Sequence, residues 1–295
     1  MRGMVVLGRR HSVLLFGDSL TERAFECGGW GARLANVFPR NADVVSRGFG
    51  AYNTRWCRHV MRPICFQRES FSLITILFGT NDAALPDFEP VQAVPLDEYV
   101  ENLNVIAKYL IDRSQLVILL SPPSVEEHGR LRTQHEKYGV DAHGSLDRNN
   151  LHTVKYASAA KAIAAKHNQV FIDMFRLTSI QLFLGENLYT DGIHFTIEGH
   201  IFLLKSMLRE LRTEARYLFA GNMRPDWPYG PWMRNSTATW REILREHEVW
   251  TSQVCNSKSR TFSSNIILVT APVLFSAFFL GLSVCKSIKQ CLATL

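Results

Sequence analysis

The stretch Leu14-Leu15-Phe16-Gly17-Asp18-Ser19-Leu20-Thr21 decides the fold of this chain. An apolar run ends abruptly in Gly-Asp-Ser, which is how a serine is placed at the carboxyl end of a buried parallel strand. Open α/β sheets bind their ligands outside this edge of the sheet. The stretch therefore predicts a parallel sheet with Ser19 at its ligand-binding edge.

Short apolar runs alternate with helical patterns over residues 12–216, which is the order typical of one parallel α/β domain. The predicted strands are 13–16, 43–45, 73–78, 116–120 and 170–172. The predicted helices are 30–37, 97–112, 148–166 and 196 to about 216. The last helix opens on Thr196, a residue type that caps helix N-termini.

Composition narrows the classes of function. The chain has 295 residues, is 46% hydrophobic and carries a net charge of +6, of which residues 256–295 supply four basic residues and no acid. No basic stripe with interleaved aromatic residues is present, so we expect no nucleic-acid partner. The six cysteines form no CxxC pair and have no histidine pair at ligand spacing, so we expect reduced thiols and no metal or cofactor.

A serine nucleophile needs a base, and the base needs an orienting group. The segment Asp191-Gly192-Ile193-His194 contains both, because a separation of three residues lets Asp191 fold back onto Nδ1 of His194. That arrangement would leave Nε2 facing Ser19. The alternative for Asp-x-x-His is a surface turn before a helix. The pattern predicts a serine hydrolase acting on esters, with Ser19, His194 and Asp191 as its catalytic residues.

Two further segments end strands at the same predicted edge. Arg47-Gly48-Phe49-Gly50 follows the second strand, and Phe78-Gly79-Thr80-Asn81-Asp82 follows the third. Acyl transfer needs hydrogen-bond donors aimed at the developing oxyanion. We expect these donors to be the backbone N–H groups of Ser19 and Gly48 and the side-chain amide of Asn81. The alternative for Asn81-Asp82 is a turn closed by its own side-chain hydrogen bonds.

These four segments together resemble the SGNH, or GDSL, hydrolase superfamily, with Ser19, Gly48, Asn81 and His194 at its four named positions. A closer resemblance is to the isoamyl acetate-hydrolysing esterase branch, carried by Cys27-Gly28-Gly29-Trp30-Gly31 and Tyr52-Asn53-Thr54-Arg55-Trp56. The chain departs from the usual pattern at Ser46, where Asn is frequent, and at Gly50-Ala51, where Ser-Gly is frequent. The resemblance implies a three-layer α/β/α flavodoxin-like fold and metal-free hydrolysis of short- or medium-chain acyl esters such as acetate esters.

Three regions remain outside these motifs. Residues 124–147 are polar and are either a functional loop or lid, or a solvated helix and loop. Residues 217–260 form an extension rich in Trp and Pro. Residues Ile266 to Cys285 are twenty residues without a charge, enough to span a bilayer as a helix; the alternative is a buried core helix.

The N-terminus lacks a signal-peptide pattern, so we expect a tail-anchored protein with a cytosolic catalytic domain; the alternative is a soluble cytoplasmic protein. A membrane anchor is also consistent with two other functions. One is a membrane-proximal lipid or lysophospholipid esterase. The other is a catalytically inactive, membrane-tethered binding scaffold. The sequence predicts a small ester as the partner of the active enzyme and does not predict an oligomeric state.

Overall fold

The computed structural model describes residues 10–65, 70–139 and 146–214. Its strands are β1 His11–Gly17, β2 Ala42–Gly48, β3 Leu73–Leu77, β4 Val117–Leu120 and β5 Val170–Ile172. Its helices are α1 Ser19–Glu22, α2 Trp30–Val37, α3 Thr54–Cys65, α4 Leu96–Ile111, α5 Glu127–Tyr138, α6 Asn150–Lys166, α7 Met174–Phe183 and α8 Ile197–Glu214.

The five strands form one parallel sheet in the order β2-β1-β3-β4-β5. This confirms the predicted parallel sheet and the three-layer α/β/α architecture. The chain adds β2 on one side of β1 and then β3, β4 and β5 on the other side, so the topological switch point lies between β1 and β3. A crevice opens at such a switch point, outside the carboxyl ends of the strands. Ser19 follows β1 and therefore lies at this crevice.

Alternate residues of the strands point to opposite faces of the sheet, and each face is covered by helices. Val13 and Leu15 of β1 pack in one hydrophobic cluster, and Leu14 and Phe16 pack in the other. The first cluster includes buried side chains of α2 and α8, among them Trp30, Leu34, Leu203 and Met207. The second includes buried side chains of α3, α4 and α6, among them Cys57, Tyr99, Ile106 and Tyr156. Both faces of the sheet are therefore covered, as a parallel sheet requires.

Every predicted strand and helix is present, with ends that differ by a few residues at most. Thr196 does cap α8, since its hydroxyl accepts a hydrogen bond from Gly199 N at 3.2 Å. Besides the short helix α1, helices α3 and α7 were not predicted. Each begins after a capping side chain: Asn53 accepts from Trp56 N at 3.0 Å, and Asp173 accepts from Arg176 N at 3.0 Å. The caps are visible in the sequence, and the apolar residues Cys57, Val60, Met61 and Ile64 of α3 recur at helical spacing in spite of Pro63, so the signal for this helix was present.

The predicted extension 217–260 and the predicted membrane span 266–285 lie outside the described residues. Among the helices that the structure describes, none is long and apolar enough to cross a bilayer. Cys27 and Cys57 are free thiols, as predicted for these two cysteines.

Candidate active site

The serine is held at the start of α1, directly after β1. Asp18 caps this short helix, because its Oδ1 accepts a hydrogen bond from Leu20 N at 3.0 Å. The cap turns the chain sharply at the edge of the sheet and makes Ser19 the first helical residue. The side chain thus lies beside the crevice rather than in the sheet.

The structure brings Ser19, His194 and Asp191 into one hydrogen-bonded chain. His194 Nε2 lies 2.9 Å from Ser19 Oγ, and His194 Nδ1 lies 2.6 Å from Asp191 Oδ2. An ionised carboxylate can only accept, so Nδ1 carries the proton and Nε2 is the acceptor for the serine hydroxyl. This tautomer is the one that lets the imidazole remove a proton from Ser19.

Asp191 is oriented by its own loop. Its Oδ1 accepts hydrogen bonds from Ile193 N at 3.0 Å and from His194 N at 2.8 Å. Burial opposes ionisation of this carboxyl, but the hydrogen bonds from the side chain and backbone of His194 outweigh it and hold the pKa of Asp191 well below its usual range. Asp191 is therefore a carboxylate at neutral pH, as an orienting group for an imidazole must be.

The same loop packs against the start of α5. Gly192 has φ +85°, and a Cβ on it would lie 2.4 Å from Arg130 N and 2.5 Å from Glu126 O. Glu126 N also donates a hydrogen bond to Gly192 O at 2.9 Å. The polar stretch 124–147 is thus in part a helix, Glu127–Tyr138, whose first turn supports the loop that carries Asp191 and His194.

Gly48 and Asn81, the other predicted oxyanion residues, end β2 and follow β3 at this same edge. Gly48 pairs with Gly17 in the β1–β2 register and lies against α1, where a Cβ on Gly48 would be 1.9 Å from Glu22 N. Asn81 Nδ2 donates a hydrogen bond to Tyr52 O at 2.9 Å. An amide nitrogen carries two hydrogens, so this bond uses one of them and the second can serve a ligand.

A buried polar cluster beneath Asn81 was not predicted. Arg148 is 3% exposed and donates from Nη2 to Asn81 Oδ1 at 3.0 Å. Asp147 contacts Arg148 and also accepts two hydrogen bonds from Arg130, at 2.8 and 2.6 Å. Nothing in the local pattern distinguishes Asp147-Arg148 from the polar residues around it, because the acceptors lie far away in the chain.

Two further carboxyls are fully buried beside the site. Burial raises the pKa of Asp18 to about 7 and the pKa of Asp82 to about 6. Asp82 accepts hydrogen bonds from the backbone and the hydroxyl of Thr54. The Asx-type turn considered for Asn81-Asp82 is therefore not formed by Asp82 Oδ1, which instead ties the loop after β3 to the N-terminus of α3.

Comparisons with known proteins identify a matching family and several relatives. Residues 15–201 match the GDSL-like Lipase/Acylhydrolase family. A GDSL esterase/lipase of Arabidopsis thaliana is 36% identical over 215 residues, which cover 70% of this chain and 88% of the relative. The isoamyl acetate-hydrolyzing esterase 1 homolog of Homo sapiens is 33% identical over 202 residues, which cover 66% of this chain and 79% of the relative.

Solved structures extend the agreement to the fold. The acetylxylan esterase Axe2 of Geobacillus stearothermophilus has a TM-score of 0.54 at 21% identity, covering 70% of this chain and 97% of that one. The lipase/acylhydrolase of Enterococcus faecalis has a TM-score of 0.53 at 20% identity, covering 73% of this chain and 98% of that one. At these identities the two structures support the architecture alone.

Proposed function

We propose, from the premise that this chain belongs to the GDSL-like lipase/acylhydrolase family, that it hydrolyses carboxylic esters through Ser19, His194 and Asp191. Its matches to GDSL esterases make it a carboxylic ester hydrolase. The observation that carries the assignment of residues is the unbroken chain of hydrogen bonds, 2.9 Å from Ser19 to His194 and 2.6 Å from His194 to Asp191.

The reaction divides into two acyl-transfer steps. Ser19 Oγ attacks the ester carbonyl while His194 Nε2 takes the hydroxyl proton, and the resulting imidazolium is stabilised by Asp191. His194 returns the proton to the alkoxide oxygen as the C–O bond breaks, so the alcohol leaves and the acyl group remains on Ser19. A water molecule then attacks the acyl-enzyme, again giving its proton to His194, which passes it to Ser19 as the acid is released.

The negative charge that develops on the carbonyl oxygen needs preorganised donors. We assign this role to the backbone N–H groups of Ser19 and Gly48 and to Asn81 Nδ2. The Tyr52 carbonyl and Arg148 support the assignment of Asn81, because together they fix the orientation of its amide. Arg148 donates to Oδ1, and Nδ2 donates to the Tyr52 carbonyl with one of its two hydrogens.

We propose short- or medium-chain acyl esters, such as acetate esters, as substrates. The support is the 33% identity to the human isoamyl acetate-hydrolyzing esterase 1 homolog. The hydrolysis rates of p-nitrophenyl esters of increasing acyl length test this directly. A maximum at acetate or butyrate is expected, and a maximum at long chains would contradict it.

A lipid or lysophospholipid ester is the second candidate substrate. It is favoured by the uncharged stretch 266–285 and by two exposed apolar side chains near the site in sequence, Phe25 at 43% and Ile197 at 49% exposure. Residues 266–285 also support a proposal about location: a single membrane anchor with the catalytic domain on the cytosolic side. The inactive scaffold is disfavoured because the hydrogen bonds among Ser19, His194 and Asp191 are intact.

Substitution of the nucleophile tests the function. Ser19→Ala should abolish hydrolysis of p-nitrophenyl acetate and labelling by a fluorophosphonate probe, because it removes the hydroxyl that lies 2.9 Å from His194 Nε2. Ser46→Ala is the matched control, since this partly buried hydroxyl donates to Thr21 O at 3.2 Å and not to His194. Full turnover by Ser19→Ala, or loss of turnover in both variants, would contradict the assignment.

A further inference from the structure

Arg148 is the most completely buried cation at the site, and its guanidinium joins three separate segments of the chain. Nε donates to Thr80 O at 2.9 Å, and Nη2 donates to Asn81 Oδ1 at 3.0 Å. The other contacts are to Gln92 Oε1 and to the carboxylate of Asp147. Four of the five N–H groups of the guanidinium are thereby used, two of them on the loop that follows β3.

The two partners of the Asn81 side chain determine which way its amide points. A guanidinium has donors and no acceptor, and the Tyr52 carbonyl is an acceptor with no donor. Oδ1 must therefore face Arg148, and Nδ2 must face Tyr52 O at 2.9 Å. A flipped amide would set donor against donor at Arg148 and acceptor against acceptor at Tyr52. No other orientation of Asn81 satisfies both neighbours.

The charge of Arg148 acts in the same direction as its geometry. A cation bonded to the amide oxygen polarises the amide and strengthens the hydrogen bonds that its nitrogen donates. Asp147 compensates part of this charge, but it also holds Arg130 through two bonds of 2.8 and 2.6 Å. Asp18 and Glu89 also lie near enough to act on Arg148. The carboxylate of Asp147 is thus shared by the guanidinium groups of Arg148 and Arg130.

We propose that Arg148 is a positioning residue for the oxyanion hole: it fixes and polarises the Asn81 amide so that Nδ2 donates to the substrate oxyanion. This inference rests on the proposed function, in which Asn81 is one of three oxyanion donors. A purely structural role for Arg148, tying residues 80, 92 and 147 together, would make the same contacts. The two roles differ in what happens when Asn81 is already absent.

A double-mutant experiment on hydrolysis of p-nitrophenyl acetate separates them. Arg148→Met removes every donor from a side chain of similar length, and Asp147 stays paired with Arg130, so no carboxylate is orphaned. Arg148→Lys keeps the charge without the planar fork. Both are combined with Asn81→Ala. Gln92→Met is the control, because it removes one acceptor of Arg148 without touching Asn81.

The expected result is a loss in kcat that depends on Asn81. Asn81→Ala alone should lower kcat by roughly 10²–10³ with a smaller effect on KM, the range for one oxyanion donor. Arg148→Met should lower kcat by roughly 10- to 100-fold in the wild-type background and by less than about twofold in the Asn81→Ala background. Arg148→Lys should lose less than Arg148→Met, and Gln92→Met should stay within about threefold of wild type.

Several outcomes would overturn the inference. These are an equal loss in both backgrounds, an effect confined to KM, or a loss in Gln92→Met as large as in Arg148→Met. Circular dichroism checks folding, and failure of both Arg148 variants to fold would assign the residue to the fold and not to Asn81. Ser19→Ala is measured in parallel. If wild-type turnover does not depend on Ser19, the proposed function fails; if it does, these outcomes test Arg148 alone.

Discussion

At the scale of single residues, Asp191 uses both carboxylate oxygens within a span of three residues. Oδ2 accepts from His194 Nδ1, while Oδ1 accepts from two backbone N–H groups of the same turn. The orientation of the imidazole is therefore decided locally, and only its distance to Ser19 depends on the rest of the fold.

Asp191→Asn should slow turnover severely while leaving the turn in place. The asparagine Oδ1 can still accept from the backbone, but its Nδ2 would then face His194 Nδ1 and favour the wrong imidazole tautomer. We expect kcat to fall by roughly 10⁴. Asp173→Asn is the matched control, since Asp173 caps α7 in the same way away from the site. Wild-type kcat in Asp191→Asn would contradict the role of the carboxylate.

Asp18 makes folding stability depend on pH. Its pKa is about 7 in the folded chain against 3.8 for an unperturbed Asp, so the folded state binds this proton more tightly than the unfolded state does. The stabilisation is fully present below pH 3.8 and is lost as the pH rises through 7. Burial raises the pKa of Asp82 to about 6, so Asp82 adds to the same fall in folding stability with rising pH. The lowered pKa of Asp191 affects folding stability only at acid pH.

Asp18→Asn should remove part of this slope, because the amide keeps Oδ1 as the acceptor for Leu20 N and cannot ionise. Thermal melts at pH 5 and pH 8 measure it. The Tm of the variant minus the Tm of wild type should increase by several degrees from pH 5 to pH 8, since about 1 kcal/mol shifts Tm by roughly 2–4 °C in a domain of this size. Asp87→Asn, an exposed acid, is the control. A constant or shrinking difference would contradict the burial argument.

At the scale of elements, the close approach of β2 to α1 fixes where the nucleophile sits. Gly48 ends β2 against the backbone of α1, and a Cβ there would lie 1.9 Å from Glu22 N and 2.3 Å from Glu22 Cα. Backbone atoms cannot yield as the end of a side chain can. The position of Ser19 relative to Gly48 therefore depends on residue 48 being a glycine, which has no Cβ.

Gly48→Ala should displace α1 and lower both Tm and kcat. The variant keeps its backbone N–H, so a loss of activity reports the displacement and not the loss of a donor. We expect a destabilisation of about 1–3 kcal/mol and at least a tenfold fall in kcat. Gly50→Ala is the control, because its Cβ would meet only the flexible carboxylate of Glu22, at 2.8 Å. Equal behaviour of the two variants would contradict this account.

At the scale of the whole molecule, we predict that residues 266–285 anchor the protein in a membrane. The stretch is uncharged over twenty residues, with Lys258 and Arg260 on one side and Lys286 and Lys289 on the other. Carbonate extraction of the full chain should leave it in the membrane fraction. Deleting residues 260–295 should release a soluble enzyme with wild-type kcat, because all proposed catalytic residues lie before residue 200. Recovery of the intact chain in the soluble fraction would identify the stretch as a core helix.

The orientation has its own test. Protease added to sealed vesicles should digest the catalytic domain if it faces the cytosol. Asn235-Ser236-Thr237 is a glycosylation sequon, and an occupied glycan at Asn235 would place the domain in the lumen. Asn235→Gln is the control for any shift in mobility that is unrelated to glycosylation.

The sequence by itself determined the features that depend on neighbouring residues. The long apolar runs predict β1, β3 and β4, because a central parallel strand covered on both faces is largely apolar. Shorter runs, such as Val44-Val45, predict the edge strands β2 and β5. The turn from Asp191 to His194 is predictable since its donors and acceptors lie within four positions. Ser19, Gly48 and Asn81 could be placed at one edge because the carboxyl ends of parallel strands meet there.

Only the tertiary structure decided what depends on residues far apart in the chain. His194 and Ser19, which are hydrogen-bonded, are 175 positions apart in the sequence, and Arg148 and Asn81 are 67 positions apart. Helix α5 is tied to the catalytic loop by Gly192, whose close approach to Arg130 no local pattern reveals. The buried charges follow the same rule. The sequence shows that Arg148 and Asp82 are polar but not that they are buried. Packing removes both from water, so each must form its hydrogen bonds inside the fold.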